Sequence, residues 1–428
     1  MKLNRRQTIL VGLGFMAILA FWQFYDQVIP YVLENRFHLS TLVTNIIMAA
    51  DNVLAVFLLP VFGALSDRTE TRLGKRTPYI LFGTIASSVL LALLGFFEES
   101  TNAMAFYICL GALLLAMSVY RSPAVAYMPD ITPKPLRSRA NAIVNLVGYM
   151  GGIFATVMMM LLLHSEKAAD GASVYSENQS FLPIFLVIAG FMLVAVLVMT
   201  FTLKENRLRL PPEQEETVAG EGGKLPREVR KSLVFLLLSV ALWYCAYNAV
   251  TTAYSRYCVE IWGVDLGASS SYLLVATVAA IAAFLPLGLI SGKLGRKKTV
   301  LLGVVLMAVC YALAMTIKKP SAVMYVIFGL VGIGWAAINV NSFPMVVEMS
   351  NAGNVGKYTG YYYTFSMAAQ IVTPILSGMF ITWWGYRVLF PYAVGMMVLA
   401  FLTMCFVRHG DSKPAVKQGI EIFEDLDT

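Results

Sequence analysis

The sequence predicts an all-α integral membrane protein with twelve transmembrane helices in two six-helix halves. Of its 428 residues, 58% are hydrophobic and only 13% are charged, whereas a soluble domain carries about 25% charged residues. Apolar runs of about 20 residues, each long enough to cross ~30 Å of hydrocarbon, alternate with short charged loops. The net charge of +7 resides in those loops, so it indicates orientation in a membrane and argues against a nucleic-acid partner.

The first half is predicted over residues 1–203, and its first apolar run is too long for a signal peptide. Its six helices are expected at about 9–33, 41–65, 78–97, 103–128, 140–163 and 182–203. A linker at 204–231, rich in Pro, Glu and Gly, is typical of a flexible segment. The second half, at 232–407, is expected to hold helices at about 232–257, 270–290, 299–317, 321–347, 358–382 and 387–407, before a polar tail at 408–428.

Basic residues are distributed unequally between the two sides of the predicted bundle. With the N-terminus inside, 25 of the 32 Lys and Arg residues lie in cytoplasmic segments and five lie in outer segments. Positively charged loops face the cytoplasm. We therefore expect a multi-pass protein of the plasma or inner membrane with both termini in the cytoplasm.

A loop motif recurs in the two halves. Gly63-x-x-Ser66-Asp67, before Gly74-Lys75-Arg76, is repeated as Gly288-x-x-Ser291-Gly292 before Gly295-Arg296-Lys297-Lys298. Transporters built from two similar six-helix units bind their substrate near the membrane midplane, between the two halves. Because Gly292 replaces the aspartate, the second half is expected to lack an equivalent charge network.

The charged loop also carries a family resemblance. Ser66-Asp67-Arg68, followed by Arg72-Leu73-Gly74-Lys75-Arg76, resembles the loop after helix 2 in the major facilitator superfamily. It resembles more narrowly the plant sucrose transporters and their bacterial relatives, which belong with the glycoside–pentoside–hexuronide cation symporters. Arg121–Asp130 resembles the end of helix 4 in the bacterial relatives. The resemblance implies the major facilitator fold and a cytoplasmic gate latched by Asp67, Arg68, Arg72, Arg76 and Asp130.

Three ionisable residues, Asp26, Asp51 and Arg121, lie well inside predicted helices. A charge inside a membrane costs ~3 kcal/mol, so each is a candidate for substrate binding or ion coupling. By depth Arg121 lies nearer Asp51, whereas the family resemblance places Arg121 and Asp26 in one cavity; both pairings stay open. Glu348 and Arg256 lie at helix ends, where we expect their side chains to snorkel to the interface.

Polar and aromatic side chains recur at helical spacing along several predicted helices. Amides, hydroxyls and rings on one face suit a neutral polyhydroxylated ligand such as a sugar. Helix–helix hydrogen bonding is the simpler explanation for such faces on helices 5 and 11. Besides the three charged residues, the candidates are Trp22, Gln23, Tyr25, Asn52, Asn145, Tyr244, Tyr247, Asn248, Tyr363 and Gln370.

Together these features predict a proton-coupled symporter for a disaccharide or glycoside that works by alternating access. A proton-driven exporter of amphipathic small molecules is the alternative. Melibiose-type symporters carry two acidic residues where this chain has Ala55 and Leu59, which favours H⁺ over Na⁺ as the coupling ion. No cofactor, metal or enzymatic activity is expected. A monomer is the default, with a sugar substrate and the lipid bilayer as partners.

Overall fold

Twelve long helices make up the fold. The computed structural model describes residues 3–163, 165–167, 173–175, 179–210, 225–263, 266–319, 321–350 and 354–411. Within these residues, 12 helices are long and apolar enough to cross a membrane, which confirms the predicted fold class. Numbered α1 to α12, they are Arg5–Tyr31, Thr41–Arg68, Thr77–Glu99, Ala103–Ile131, Arg137–Leu162, Leu182–Thr202, Arg227–Trp262, Leu266–Leu294, Arg296–Thr316, Val323–Glu348, Val355–Trp384 and Leu389–Cys405.

Shorter elements lie between the spanning helices. A π-helical turn, Val32–Arg36, continues α1, and 3-10 turns at Lys134–Leu136 and Tyr386–Val388 precede α5 and α12. Two antiparallel strands, β1 (Ser165–Lys167) and β2 (Ser173–Tyr175), lie between α5 and α6.

Polar residues cap the start of several helices. Asn4, Ser40 and Asn102 each accept a hydrogen bond from the backbone N–H three residues further along the chain. Such a cap satisfies one of the four N–H groups that have no partner in the first turn of a helix. The capping residues therefore fix where α1, α2 and α4 begin.

The two halves meet through two pairs of helices. α2 packs along α11, and α5 packs along α8. Near the loop residues 69–76, a Cβ added to Gly63 would lie 2.1 Å from the carbonyl oxygen of Gly356. Gly360 packs equally closely on Pro60, where a Cβ would lie 2.3 Å from the proline Cα. Only glycine allows these helices to touch, so the halves are tightly joined at this end, which we call the loop end.

The opposite end of the bundle is open. α1 and α7 barely touch, and Asp26 and Gln27 of α1 and Thr252 of α7 are exposed there. The bundle is thus closed at the loop end, and a space between its halves opens at the other end.

The predicted linker contains ordered structure at both of its edges. A single helical turn, Glu205–Leu208, follows α6, and α7 begins at Arg227 rather than near residue 232. Residues 211–224 lie outside the described residues. The turn is held in place because the Glu205 side chain is buried against the loop at 74–77.

Candidate functional site

A cavity of about 310 Å³ lies between the two halves. Ligand-binding cavities range from about 300 to 1,000 Å³, so this one suits a small molecule. Its lining combines aromatic rings, amides and one charged side chain. Five of the predicted candidates line it: Arg121, Asn145, Tyr244, Tyr363 and Gln370.

Arg121 is held between aromatic rings from both halves. Its Cζ lies 5.0 Å from the centre of the Trp22 ring in α1 and 5.2 Å from that of Tyr363 in α11. A guanidinium within about 6 Å of a ring face is attracted to the ring electrons. These contacts hold the guanidinium at the boundary between the halves, where any bound molecule would meet it.

Asp26 and Asp51 both interact electrostatically with Arg121. In the described part of the chain, neither forms a direct ion pair with it. Asp26 lies one helical turn beyond Trp22 on the same face of α1 and is exposed, whereas Asp51 of α2 is half-buried. The structure therefore brings all three predicted charged residues into one region, with Asp26 nearer the open end.

The remaining first-half candidates lie around the cavity and do not line it. Tyr25 is only 1% exposed and packs on Phe21, with 5.6 Å between ring centres, so it belongs to the core of the first half. Gln23 lies against Gly152 of α5. Asn52 is half-buried in α2, next to Asp51.

The candidates on α7 divide between two faces. Tyr244 lines the cavity, while Tyr247 stacks on Trp335 at 3.9 Å and borders a separate cavity of about 200 Å³ within the second half. Asn248 lies one turn beyond Tyr244 on the same face, and its buried Nδ2 has no hydrogen-bond partner in the described residues. A buried amide donor without a partner is costly, so Asn248 is available to a ligand.

Several lining residues were not predicted. Trp335, Asn339 and Phe343 of α10 recur every four residues and line the cavity. This helical spacing was present in the sequence, but packing alone would also produce it. Tyr149 also lines the cavity; it continues the four-residue spacing of Asn145 along α5.

Asn141 links α5 to α10, where a proline leaves one backbone carbonyl without its helical partner. Its Nδ2 donates to the carbonyl oxygens of Asn339 and Val340, at 3.1 and 3.0 Å. Pro344 has no N–H, so the carbonyl of Val340, four residues earlier, lacks its normal helical partner. The amide of Asn141 satisfies this carbonyl and ties the two halves together beside the cavity.

Asp67 joins the halves at the loop end. One carboxylate oxygen accepts from the backbone N–H of Gly356 at 2.9 Å and the other from that of Lys357 at 2.8 Å. These N–H groups belong to the first turn of α11, where a negative charge is stabilised. An acid of the first half therefore caps a helix of the second half.

Arg76 connects Asp67 to Asp130. Its guanidinium pairs with Asp67 and, at 2.8 Å, with Asp130, which also pairs with Lys75 at 3.2 Å. All of these side chains are at most 4% exposed. The structure thus brings together three of the five predicted gate residues. The other two, Arg68 and Arg72, are exposed on the surface.

The second half was expected to lack an equivalent charge network. Gly292 has no side chain to make the contact that Asp67 makes, but a buried ion pair is present at this place, which the expectation missed. Arg296 pairs with Glu348, and its guanidinium also donates to the carbonyl of Lys134 in the first half. Its backbone N–H donates to Asp411 at 2.6 Å. Glu348 is 5% exposed, so it does not snorkel as predicted.

Glu205 is a structural residue that the sequence did not indicate. Its carboxylate accepts from the backbone N–H groups of Lys75, Arg76 and Thr77 at 2.9 to 3.1 Å, and from the Thr77 hydroxyl at 2.8 Å. It caps α3 from outside that helix. A Cβ on Gly74 would lie 2.2 Å from this carboxylate, and Gly74 has a φ of +117°, so glycine is required there.

Comparison with known proteins gives the family. A family model described as MFS/sugar transport protein matches residues 10–407. The chain belongs to this family. It is therefore a multi-pass membrane transporter of the major facilitator superfamily, as the loop motif indicated, and it is not an enzyme.

Individual relatives are distant. An uncharacterized MFS-type transporter, YxiO of Bacillus subtilis, is 22% identical over 85% of each chain. The general alpha-glucoside permease of Schizosaccharomyces pombe is 23% identical over 45% of this transporter and only 36% of its own length. Among solved structures, the fold resembles that of FucP, a fucose:proton symporter, in its outward conformation. The two superpose with a TM-score of 0.76 at 13% identity, over 94% of this chain and 99% of FucP.

Proposed function

We propose that this transporter is a proton-coupled symporter for a disaccharide or glycoside and that it works by alternating access. The observation that carries the proposal is the position of Arg121 between Trp22 and Tyr363, with Asp26 and Asp51 in the same region of the bundle. Other rings from both halves, among them Tyr149 and Tyr244, line the cavity and can pack on a sugar ring, and Arg121 offers donors to its hydroxyls. A ligand bound there touches both halves and can favour their closure.

Asp26 is the proposed proton carrier, with Asp51 as the second candidate. Asp26 is exposed at the open end, where it can exchange a proton with water. A charge enclosed in a membrane protein is costly, so protonation lowers the cost of closing the cavity over the sugar. Each proton that moves inward gains ~2.3 kcal/mol per 100 mV of membrane potential.

The proposed orientation puts the loop end on the cytoplasmic side, in agreement with the distribution of Lys and Arg. The open end then faces outward, and the structure corresponds to the state that loads substrate. FucP, whose fold is similar, is a fucose:proton symporter; this supports the proposed coupling by analogy only.

Uptake by proteoliposomes tests the proposal. Radiolabelled sucrose, maltose and glucose are offered under an inward proton gradient, with and without sodium. We expect accumulation of a disaccharide that a protonophore abolishes and that sodium does not change. Asp26→Asn should lose accumulation against a gradient but keep sugar exchange at equal concentrations, whereas Asp26→Glu should keep both.

Two outcomes would contradict the proposal. If Asp26→Asn and Asp51→Asn both keep pH-dependent accumulation, neither carboxylate carries the proton. If no sugar accumulates under either gradient, the exporter becomes the better hypothesis, and amphipathic small molecules would be tested for proton-driven efflux.

A further inference from the structure

A second large cavity opens on the membrane-facing surface of the bundle. This groove, of about 720 Å³, runs between α1 and α5 of the first half and α8 of the second. Its walls include Ile9, Met150 and Leu289, which are 46%, 54% and 53% exposed. The cavity between the halves does not share these residues, so the groove is a separate site.

Two arginines lie at the loop end of the groove. Arg5 is exposed and Arg139 is half-buried, and neither has a carboxylate partner in the described residues. The Arg139 guanidinium lies against Gly292 of α8, where a Cβ would be 3.2 Å from its Nη2. The groove therefore has a positive rim and an apolar interior.

The length of the groove matches one leaflet of a bilayer. Along α5, Arg139 and Met150 are eleven residues apart, about 16 Å at 1.5 Å per residue. The hydrocarbon core of a bilayer is ~30 Å thick, so one leaflet is about half of that. A molecule with its head at the arginines would place its tail along the apolar walls.

We propose that an anionic phospholipid binds this groove, with its phosphate between Arg5 and Arg139 and an acyl chain along α5 and α8. The apolar walls favour a lipid over a soluble anion, and the two guanidinium groups favour an anionic over a zwitterionic head group.

The bound lipid would also stabilise the closed loop end. α5 and α8 meet at the groove, where a Cβ on Gly288 would lie 2.7 Å from that of Ala142. The walls belong to different halves, so the complete groove exists only while these helices are together. A ligand that binds one conformation better shifts the equilibrium toward it.

Native mass spectrometry of the detergent-solubilised full chain tests the site. Dioleoyl-phosphatidylglycerol and dioleoyl-phosphatidylcholine are titrated against the unchanged protein and against Arg5→Gln and Arg139→Gln. One basic residue contributes about a fivefold change in affinity for an anionic lipid. We expect each variant to raise the Kd for phosphatidylglycerol about fivefold and the Kd for phosphatidylcholine by less, because the choline group offsets the phosphate charge.

Control variants test whether the loss of lipid affinity is specific to the positive charges of the groove. Arg230→Gln removes an exposed arginine outside the groove and should leave both Kd values unchanged, while Arg5→Lys and Arg139→Lys should retain most of the binding. The proposal is overturned if the two glutamine variants bind phosphatidylglycerol like the unchanged protein. It is also overturned if the two lipids bind equally, or if soluble glycerol 1-phosphate binds as tightly as the lipid.

Discussion

Removing the charge of Asp67 should open the loop end. Its carboxylate accepts two backbone hydrogen bonds from α11, at 2.9 and 2.8 Å, and pairs with Arg76. The backbone bonds cross between the halves, so they exist only while the loop end is closed. Asp67→Asn keeps the size of the side chain and removes its charge.

The expected shift follows from the hydrogen bonds that cross between the halves. The ion pair of Asp67 with Arg76 lies within the first half, so its loss affects the closed and open states alike. Asparagine has one accepting oxygen in place of two, so Asp67→Asn loses one of the two bonds to α11 and removes the charge from the other. A hydrogen bond to a charged group contributes ~1.5–3 kcal/mol, and about 2 kcal/mol corresponds to roughly a 30-fold shift toward the state with an open loop end.

Double electron–electron resonance, which measures the distance between two spin labels, can detect this shift. In a cysteine-free background, labels at 207 and 298 report on the loop end, and labels at 100 and 318 report on the opposite end. For Asp67→Asn we expect the first distance to increase and the second to decrease. Arg72→Gln, a change in the same loop at an exposed residue, should leave both unchanged. If Asp67→Asn leaves both distributions unchanged, these hydrogen bonds do not hold the gate.

Three further predictions concern the same end of the molecule. Gly63→Ala should slow transport at least tenfold in proteoliposomes without preventing insertion, because its Cβ would lie 2.1 Å from the carbonyl oxygen of Gly356 and prevent closure. Glu205→Gln should lower the free energy of unfolding by ~1–3 kcal/mol, because it weakens several charge-assisted hydrogen bonds at the start of α3. Denaturation in mixed micelles measures this change. Unchanged stability would show that water replaces these bonds. Glu348→Gln should cost ~3–5 kcal/mol in the same assay, because it removes the charge that pairs with buried Arg296; a shift below 1 kcal/mol would contradict this role.

The sequence predicted those features that depend on local pattern. Twelve apolar runs correspond to 12 spanning helices, because the thickness of the bilayer sets the length of each run. The family resemblance of the loop and of the end of helix 4 led to Asp67, Arg76 and Asp130, which the structure brings together. Arg121 could be predicted as a functional residue because an ionisable side chain inside an apolar run is rare, whichever residues surround it in the fold.

Features that depend on distant pairing could not be predicted in the same way. Glu205 lies in a segment of linker composition, and its role is visible only once the end of α6 meets the start of α3. Tyr25 shares a helix with Asp26 but faces the core, because adjacent residues on a helix point in different directions. Trp335 and Asn339 follow a helical spacing that packing alone would also explain, so the spacing did not identify them as cavity residues.

At the loop end, each half reaches the other with a charged side chain, and the two side chains have opposite charges. An acid of the first half, Asp67, reaches the free N–H groups at the start of α11. A base of the second half, Arg296, reaches the carbonyl of Lys134 in the turn before α5. Each pairing suits the partial charge of the backbone group that it meets. Because both bonds cross between the halves, opening this end must break both. Substitution at either site should therefore favour the same open state, although the charges removed are opposite.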